Sequence, residues 1–366
     1  MAWVRGPRKL RPTPTGVRHA ARAWVRHTYQ LWVRRVSHVW KMCIDLFRKQ
    51  RTREEEAPGT SPEQLNQRLE AAAGQLGHDA ATVRLAGVSA IARLADDWPA
   101  QRQLCIDVLC AYLRMAPRSD TGFGESDVRN AIVGIISAHL RAQSAISWVK
   151  HDFDFTGAAL FDADFADVTF AGARTSFARA TFSGGVTRFA RATFSGKVTR
   201  FDGATFSGGV ARFDGATFSG PYTIFAGARF SGWHTIFDGA TFTGRCTLFD
   251  AATFSGWYTN FDLATFSGTY TGLDQATFSA QQTGFDGATF SGTVTRFDGV
   301  TFSGKQTSFD GATFSGKQTS FEGVTFSGAR TADEVTMKSS FVGSRVSWGP
   351  MSPRPLRSPA PEPSRP

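Results

Sequence analysis

Ten acidic residues recur at one position of a repeat, each directly after an apolar residue: Asp202, Asp214, Asp238, Asp250, Asp262, Asp274, Asp286, Asp298, Asp310 and Glu322. Carboxylates in register offer two chemistries, cation binding and general acid–base catalysis. A catalytic pair needs two carboxylates whose surroundings push their pKa values apart, and identical copies supply the opposite. The simplest role is in a turn, with the side chain accepting hydrogen bonds from nearby backbone amides. Serine and threonine are abundant, yet no histidine or lysine is spaced to activate one, and His234 is the only histidine in the repeats. Cys43, Cys105, Cys110 and Cys246 show no metal-ligand spacing; Cys105 and Cys110 fall in a helical pattern and read as buried thiols. The expectation is a chain that is not an enzyme and carries no cofactor or metal.

A second kind of chemistry lies where the repeat breaks its own rule. One pair of positions reads Gly-Val or Lys-Val in early copies and Lys-Gln in late ones. In the middle copies it becomes Pro221-Tyr222, Trp233-His234, Arg245-Cys246, Trp257-Tyr258 and Thr269-Tyr270. Ile224, Ile236 and Leu248 stand beside these pairs, where other copies carry Arg or Ser. Trp and Tyr combine large apolar area with a polar handle and anchor interfaces. Tyr222, Trp233, His234, Trp257, Tyr258 and Tyr270 therefore form a candidate binding patch. The competing reading is that the rings pack on one another to stiffen long corners.

These residues are positioned by a twelve-residue repeat that runs in thirteen copies from Phe177 to beyond Phe321. Two phenylalanine ladders pass through it, Phe177 to Phe321 and Phe182 to Phe326, broken only at Leu273. A short fixed period with constant apolar positions marks a solenoid, whose units bury their apolar faces by stacking on neighbours. Within a copy, Ala192 and Phe194 point one way and Thr193 and Ser195 the other, which is strand periodicity. Gly196 permits the sharp corner that follows. Each copy thus divides into two five-residue sides and a two-residue corner insertion, such as Gly209-Val210 or Lys305-Gln306.

Ala163-Asp164-Phe165-Ala166-Asp167 resembles the pentapeptide-repeat pattern A-(D/N)-(L/F)-x-x, and Ala158-Ala159-Leu160 and Val168-Thr169-Phe170 continue it in fives. The resemblance covers residues 153–330. It implies a right-handed quadrilateral parallel β-helix with one pentapeptide per side, here with enlarged corners. A coil of 24 residues, holding four large side chains per level, is expected over one of 12, which would crowd two rings into a narrow tube at each strand spacing of about 4.8 Å. Small coils of that kind resemble antifreeze helices, filled with small residues and disulfides. On a 24-residue coil Trp257 lies over Trp233 and Tyr258 over His234, with Tyr222, Cys246 and Tyr270 on the opposite edge.

Residues 61–140 hold four helical stretches, Gln64–Leu76, Ala80–Asp97, Pro99–Met115 and one capped by Ser126 that reaches Leu140. Their short paired form resembles HEAT-like units, and Ala81–Arg114 resembles the helical module that precedes pentapeptide repeats in many bacterial proteins. Helices packed on the first coil would cover a β-helix end that otherwise invites edge-to-edge aggregation. The division expected is a basic Trp/Arg-rich segment, 1–56, disordered and then an amphipathic helix; a helical HEAT-like module, 57–150; a β-helix with its C-terminal cap, 151–349; and a proline-rich disordered tail, 350–366.

The net charge of +10 is uneven. Residues 1–56 hold 14 Lys/Arg against 4 Asp/Glu, whereas the regular repeats, 177–330, hold 12 against 10. The activity best known in the family is DNA mimicry directed at type II topoisomerases, which needs a strongly negative rod, and this rod is mixed. The Thr ladder at Thr181, Thr193, Thr205 and Thr217 would suit ice binding, but Thr is also an ordinary outward strand residue. The low cysteine content favours a reducing, cytoplasmic setting. No apolar run is long enough to span a membrane. Between Trp24 and Lys49 an apolar face that includes Trp32, Trp40 and Phe47 alternates with Arg34 and Arg35, which fits a peripheral helix on an anionic membrane. Docking onto the helical module and binding to nucleic acid are the alternatives for that segment. The function expected is a scaffold for protein–protein interaction, at the inner face of the plasma membrane if that helix is interfacial, with an unknown protein partner or self-association. The rival is a regulator of a nucleic-acid enzyme acting through the rod.

If Trp24–Lys49 is interfacial, the full chain binds anionic vesicles, more weakly as salt rises, and deletion of residues 1–50 abolishes binding. Absence of binding at low salt contradicts the assignment.

Overall fold

Phenylalanines that alternate five and seven residues apart close a coil in four sides, and the chain does this about seven times. The computed structural model describes residues 61–118 and 124–327 and the strands Val335–Thr336, Ser340–Phe341 and Arg345–Trp348. The basic segment 1–56, with Trp24, Trp32, Arg34, Arg35, Trp40 and Phe47, and the tail 350–366 lie outside the described residues.

Four helices come first: α1 (Pro62–Leu76), α2 (Ala81–Asp97), α3 (Arg102–Arg114, after the short turn Pro99–Gln101) and α4 (Gly124–Leu140). The start of α4 corrects one expectation, because Ser126 lies inside the helix and not at its cap. The carboxylate of Glu125, in the first turn, is drawn into the core, where it accepts a hydrogen bond from Tyr112 Oη at 2.7 Å and pairs with Arg129 at 2.8 Å and with Arg84 at 3.4 Å. Burial and the Glu125 bond push the Tyr112 hydroxyl up to about 12. Arg84 is fully buried within an otherwise apolar helix face. The carboxylate of Glu125 and the carbonyls of His78 and Asp79 meet its two terminal nitrogens. Removing one partner of such a buried network leaves an uncompensated charge, which costs about 3–5 kcal/mol. Cys105 and Cys110 are buried as expected, and burial raises their thiols to about 11 and about 12, away from reactivity.

The solenoid follows as four parallel sheets. Sheet I has nine strands from Phe153–Asp154 to Arg345–Trp348, and sheet II has eight from Ala159–Phe161 to Thr325–Phe326. Sheet III has seven from Val186–Arg188 to Val335–Thr336, and sheet IV eight from Thr169–Phe170 to Ser340–Phe341. The chain visits them in the order I, II, III, IV. Each strand pairs with the one a full coil later, as in Tyr222 with Cys246 and Phe194 with Phe218. The coil is therefore 24 residues, as expected. Phe189 stacks on Phe213 with centroids 5.0 Å apart, while Phe201 meets Phe189 edge-on at 88°.

The expected corner insertion is only half a corner. Its second member (Val210, Tyr222, His234, Cys246, Tyr258 or Gln306) begins a strand. This is why the strands of sheets I and III are mostly three residues long, and most of those of II and IV two. The glycine of S-G has a different reason from the one expected. A Cβ at Gly220 would stand 1.8 Å from the carbonyl oxygen of Gly196, one coil below; close approach of successive coils excludes it. The left-handed backbone falls instead at the position after the acid, as at Gly203 (φ 62°), and Leu263 occupies that position at φ 58°. A β-carbon in this region costs about 1–2 kcal/mol.

The inward positions hold one Phe per side, preceded two residues earlier by Ala on sheets II and IV or by Thr on sheets I and III, all buried. Past Phe326 the repeat pattern is lost, yet the strands continue the sheets at longer spacing, with Phe314 paired to Phe341 and Phe321 to Trp348. The region expected to act as a cap therefore adds a further, irregular layer.

Phe254 lies between Phe230 at 4.8 Å and Phe278 at 4.7 Å. Phe254→Ala is expected to cost about 3–5 kcal/mol, read as a lower denaturation midpoint; an unchanged midpoint contradicts the inward ladders.

Candidate functional site

Because the inward positions are filled, any site lies on the outward positions of the sheets or at the corners. The strands of sheets I and III carry two outward residues each, around one buried Thr. On face III these are His234 and Ile236, then Tyr258 and Asn260. On face I they are Tyr222 and Ile224, Cys246 and Leu248, then Tyr270 and Gly272. The six residues of the candidate patch thus form two groups on opposite faces. The separation follows from the register, since a step of 12 residues is half a coil.

On the edge of face III, Trp257 lies one coil above Trp233, with its amide donating to the Trp233 carbonyl at 2.8 Å. The two side chains are 53% and 70% exposed, so they do not bury one another in the manner of a purely structural pair. Behind them His234 meets Tyr258 edge-on, ring centroids 6.2 Å apart. Burial lowers the His234 pKa and favours the neutral imidazole. At the far corner of the same face stands Leu263, 66% exposed at its left-handed position. Leu263 was not singled out from the sequence, although Leu in place of the usual Gly is visible there. Seven large hydrophobic residues are exposed among the described residues, and four of them, Tyr222, Trp233, Trp257 and Leu263, fall in the span 222–263.

The carboxylate column is structural, by a mechanism other than a local turn. Asp262 Oδ1 accepts the amide of Asp286 at 2.8 Å and Asp286 that of Asp310 at 2.9 Å, each one coil on. Asp250, Asp274 and Asp298 do the same at 3.1 Å. Carboxylates stacked one per coil repel, and Arg relieves this at the ends. Arg200 and Arg212 clasp Asp202 and Asp214 in two-point pairs at 2.7–2.8 Å, and Arg296 holds Asp298 at 2.7 Å and Asp274 at 3.2 Å. In the middle coils Ile224, Ile236 and Leu248 replace the arginines, and no ion pair reaches Asp238, Asp250 or Asp262 among the described residues. Burial raises the carboxyls of Asp250, Asp262 and Asp274. No group of His, Cys, Asp and Glu able to hold a metal occurs among the described residues.

Residues 189–235 and 201–252 match the family described as "Pentapeptide repeats (9 copies)". Comparisons with curated proteins and with solved structures gave no match. No helix among the described residues is long and apolar enough to cross a membrane.

Since burial raises the Asp262 pKa, the folded state holds that proton to higher pH than the unfolded chain does. The associated stabilisation is complete below the usual value of 3.8 and is lost as pH rises through the raised value. Asp262→Asn keeps an oxygen to accept the Asp286 amide and removes the charge. It is expected to raise the melting temperature at pH 7 and to have little effect near pH 3.8; a lower melting temperature at pH 7 contradicts this account of the column.

Proposed function

We propose that this chain, a pentapeptide-repeat β-solenoid preceded by a helical module, is a non-catalytic scaffold that binds a protein partner on face III. One observation carries the reading: Trp233, Trp257 and Leu263 border one face and stay exposed, in the only coils where the pair preceding the buried Thr turns aromatic. An exposed apolar patch with polar surroundings marks interaction sites. Leu263 supports the reading from a second direction, because its backbone is strained and its side chain is not buried.

Asp250, Asp262, Asp274, Asp286 and Asp298 already accept amides of the next coil, and Asp202 and Asp214 are held by arginines, which argues against an enzymatic role for them. The mixed charge of the rod argues against DNA mimicry, because an imitation of the phosphate backbone needs a dense negative surface. The basic Trp/Arg-rich segment would place the scaffold on the cytoplasmic face of an anionic membrane.

The full chain with Trp233→Ala and Trp257→Ala is compared with wild type as bait in bacterial lysate, with DNA and a type II topoisomerase as separate ligands. Loss of both rings is expected to weaken capture by at least about 2 kcal/mol, roughly thirty-fold, with little change in melting temperature. If the double variant unfolds while capture persists, the rings are packing and not a site. Topoisomerase binding that survives the substitutions favours the rod-wide regulator instead.

A further inference from the structure

Face I carries the second aromatic group, and its outward residues form a pattern along the rod. Apolar side chains hold outward positions on four successive strands of sheet I: Val198, then Tyr222 with Ile224, then Cys246 with Leu248, then Tyr270. The block is centred between Tyr222–Ile224 and Cys246–Leu248, which pair directly. Tyr222 is 42% exposed and the other five are half-buried.

Charge differs in sign on the two sides of that centre, along the edge that face I shares with face II. Above it Asp250, Asp274, Asp298 and Glu322 follow one another from coil to coil, with Arg296 set against Asp274 and Asp298. Below it the same column reads Ala178, Asp202 and Ala226. Arg200 clasps Asp202, and Arg179 is exposed and makes no ion pair among the described residues. At the first coil Asp154 is paired with Arg114 of α3. An apolar stretch flanked by opposite charges is complementary to itself when reversed, which is what a two-fold contact between identical subunits requires.

We propose that face I packs on face I of a second copy, with the two rods antiparallel about a two-fold axis lying along the strand direction at the centre of the apolar block. Such an axis keeps the edge shared with face II on one side in both copies and reverses the order of the coils. Ile224 then faces the partner's Leu248, Tyr222 the partner's Cys246 and Val198 the partner's Tyr270, each contact being made twice. Along the shared edge Ala226 faces the partner's Asp250. Ala178 faces the partner's Asp298, which brings the unpaired Arg179 beside that carboxylate. Asp202 falls opposite the partner's Asp274, and Arg200 and Arg296 offset the two charges. A two-fold along the rod would instead set the acidic edge against the other edge of the face, away from Arg179. One narrow face lies at the small end of specific interfaces, so the dimer is expected to dissociate on dilution. The contact is separate from the partner proposed for face III, which stays open in the dimer.

Light scattering of the full chain is expected to give a dimer mass that falls to a monomer on dilution. Leu248→Lys abolishes the dimer and Arg179→Glu weakens it roughly ten-fold, each with an unchanged circular dichroism spectrum, while Trp233→Ala with Trp257→Ala leaves it intact. A bismaleimide reads the orientation. With Cys43→Ser as background it selects Cys246, because Cys105 and Cys110 are fully buried. Cys246 and its copy lie one coil apart across a packed-sheet gap, about 11 Å, and are expected to cross-link. With Cys246→Ser added, Gln318→Cys lies seven coils from its copy, about 35 Å, and is expected not to. A monomer at every concentration overturns the proposal, as does a dimer that survives Leu248→Lys or is lost with the two tryptophans. Cross-linking through residue 318 overturns the antiparallel arrangement.

Discussion

Offset parallel stacking of phenylalanine at the strand spacing is the interaction on which the rest of this structure depends. Hydrogen-bonded parallel strands fix the rise at about 4.8 Å, and offset-stacked rings prefer nearly that separation. Backbone and side chain therefore ask for the same distance. Phe201 lies on Phe225 at 4.7 Å with planes 1° apart, and within a level Phe213 meets Phe225 edge-on at 85°. Each ring thus has stacked neighbours above and below and edge contacts at its sides. Ala or Thr beside each Phe completes a level without a large void, and Leu273 shows that one ladder tolerates an aliphatic residue.

A stack of this kind is uniform along its length and must be finished at its ends. At the first coil, α3 and α4 and the segment after α4 supply donors to the backbone of the solenoid. Gln103 and Arg114 donate to the carbonyls of Asp152 and Asp154, Arg129 to Ala159, Ser137 to Asp164 and Arg141 to Ala166. On the fourth side the amide of Ala171 donates to the carbonyl of Val149. The helices thus answer the open strand edges with individual hydrogen bonds as well as with apolar cover. Trp148, buried between Asp96 and His139, secures the connection.

Much of this was legible from residues alone. The Phe spacing and the inward Ala follow from periodicity, because each repeats often enough to exclude accident, while the four-sided coil comes from the resemblance to pentapeptide repeats. The aromatic pairs were legible as a break in a rule. Pairwise geometry across coils was not. Whether Asp262 serves its own turn or the amide of Asp286 depends on side-chain direction at a corner, and spacing is silent on it. Gly220 was attributable to a sharp turn, yet the carbonyl of Gly196 is what demands it. Arg84 shows a third limit. A charge on an apolar helix face reads as exposed until Glu125, forty-one residues away, is brought against it.

With the interior satisfied by the stack and the carboxylates of Asp250, Asp262, Asp274, Asp286 and Asp298 by the next coil, the outward positions of faces I and III carry the variation that distinguishes one coil from another. The functional reading rests on that division, and the division rests on a coil of 24 residues. Engineered disulfides test it most directly, since they form only where Cα atoms lie about 4.4–6.8 Å apart. In a Cys43→Ser background, Tyr222→Cys is predicted to form an intrachain disulfide with Cys246, its strand partner, on mild oxidation, whereas His234→Cys is predicted to leave Cys246 free. A disulfide in the His234→Cys chain and none in the Tyr222→Cys chain would mean a 12-residue coil and would contradict the account.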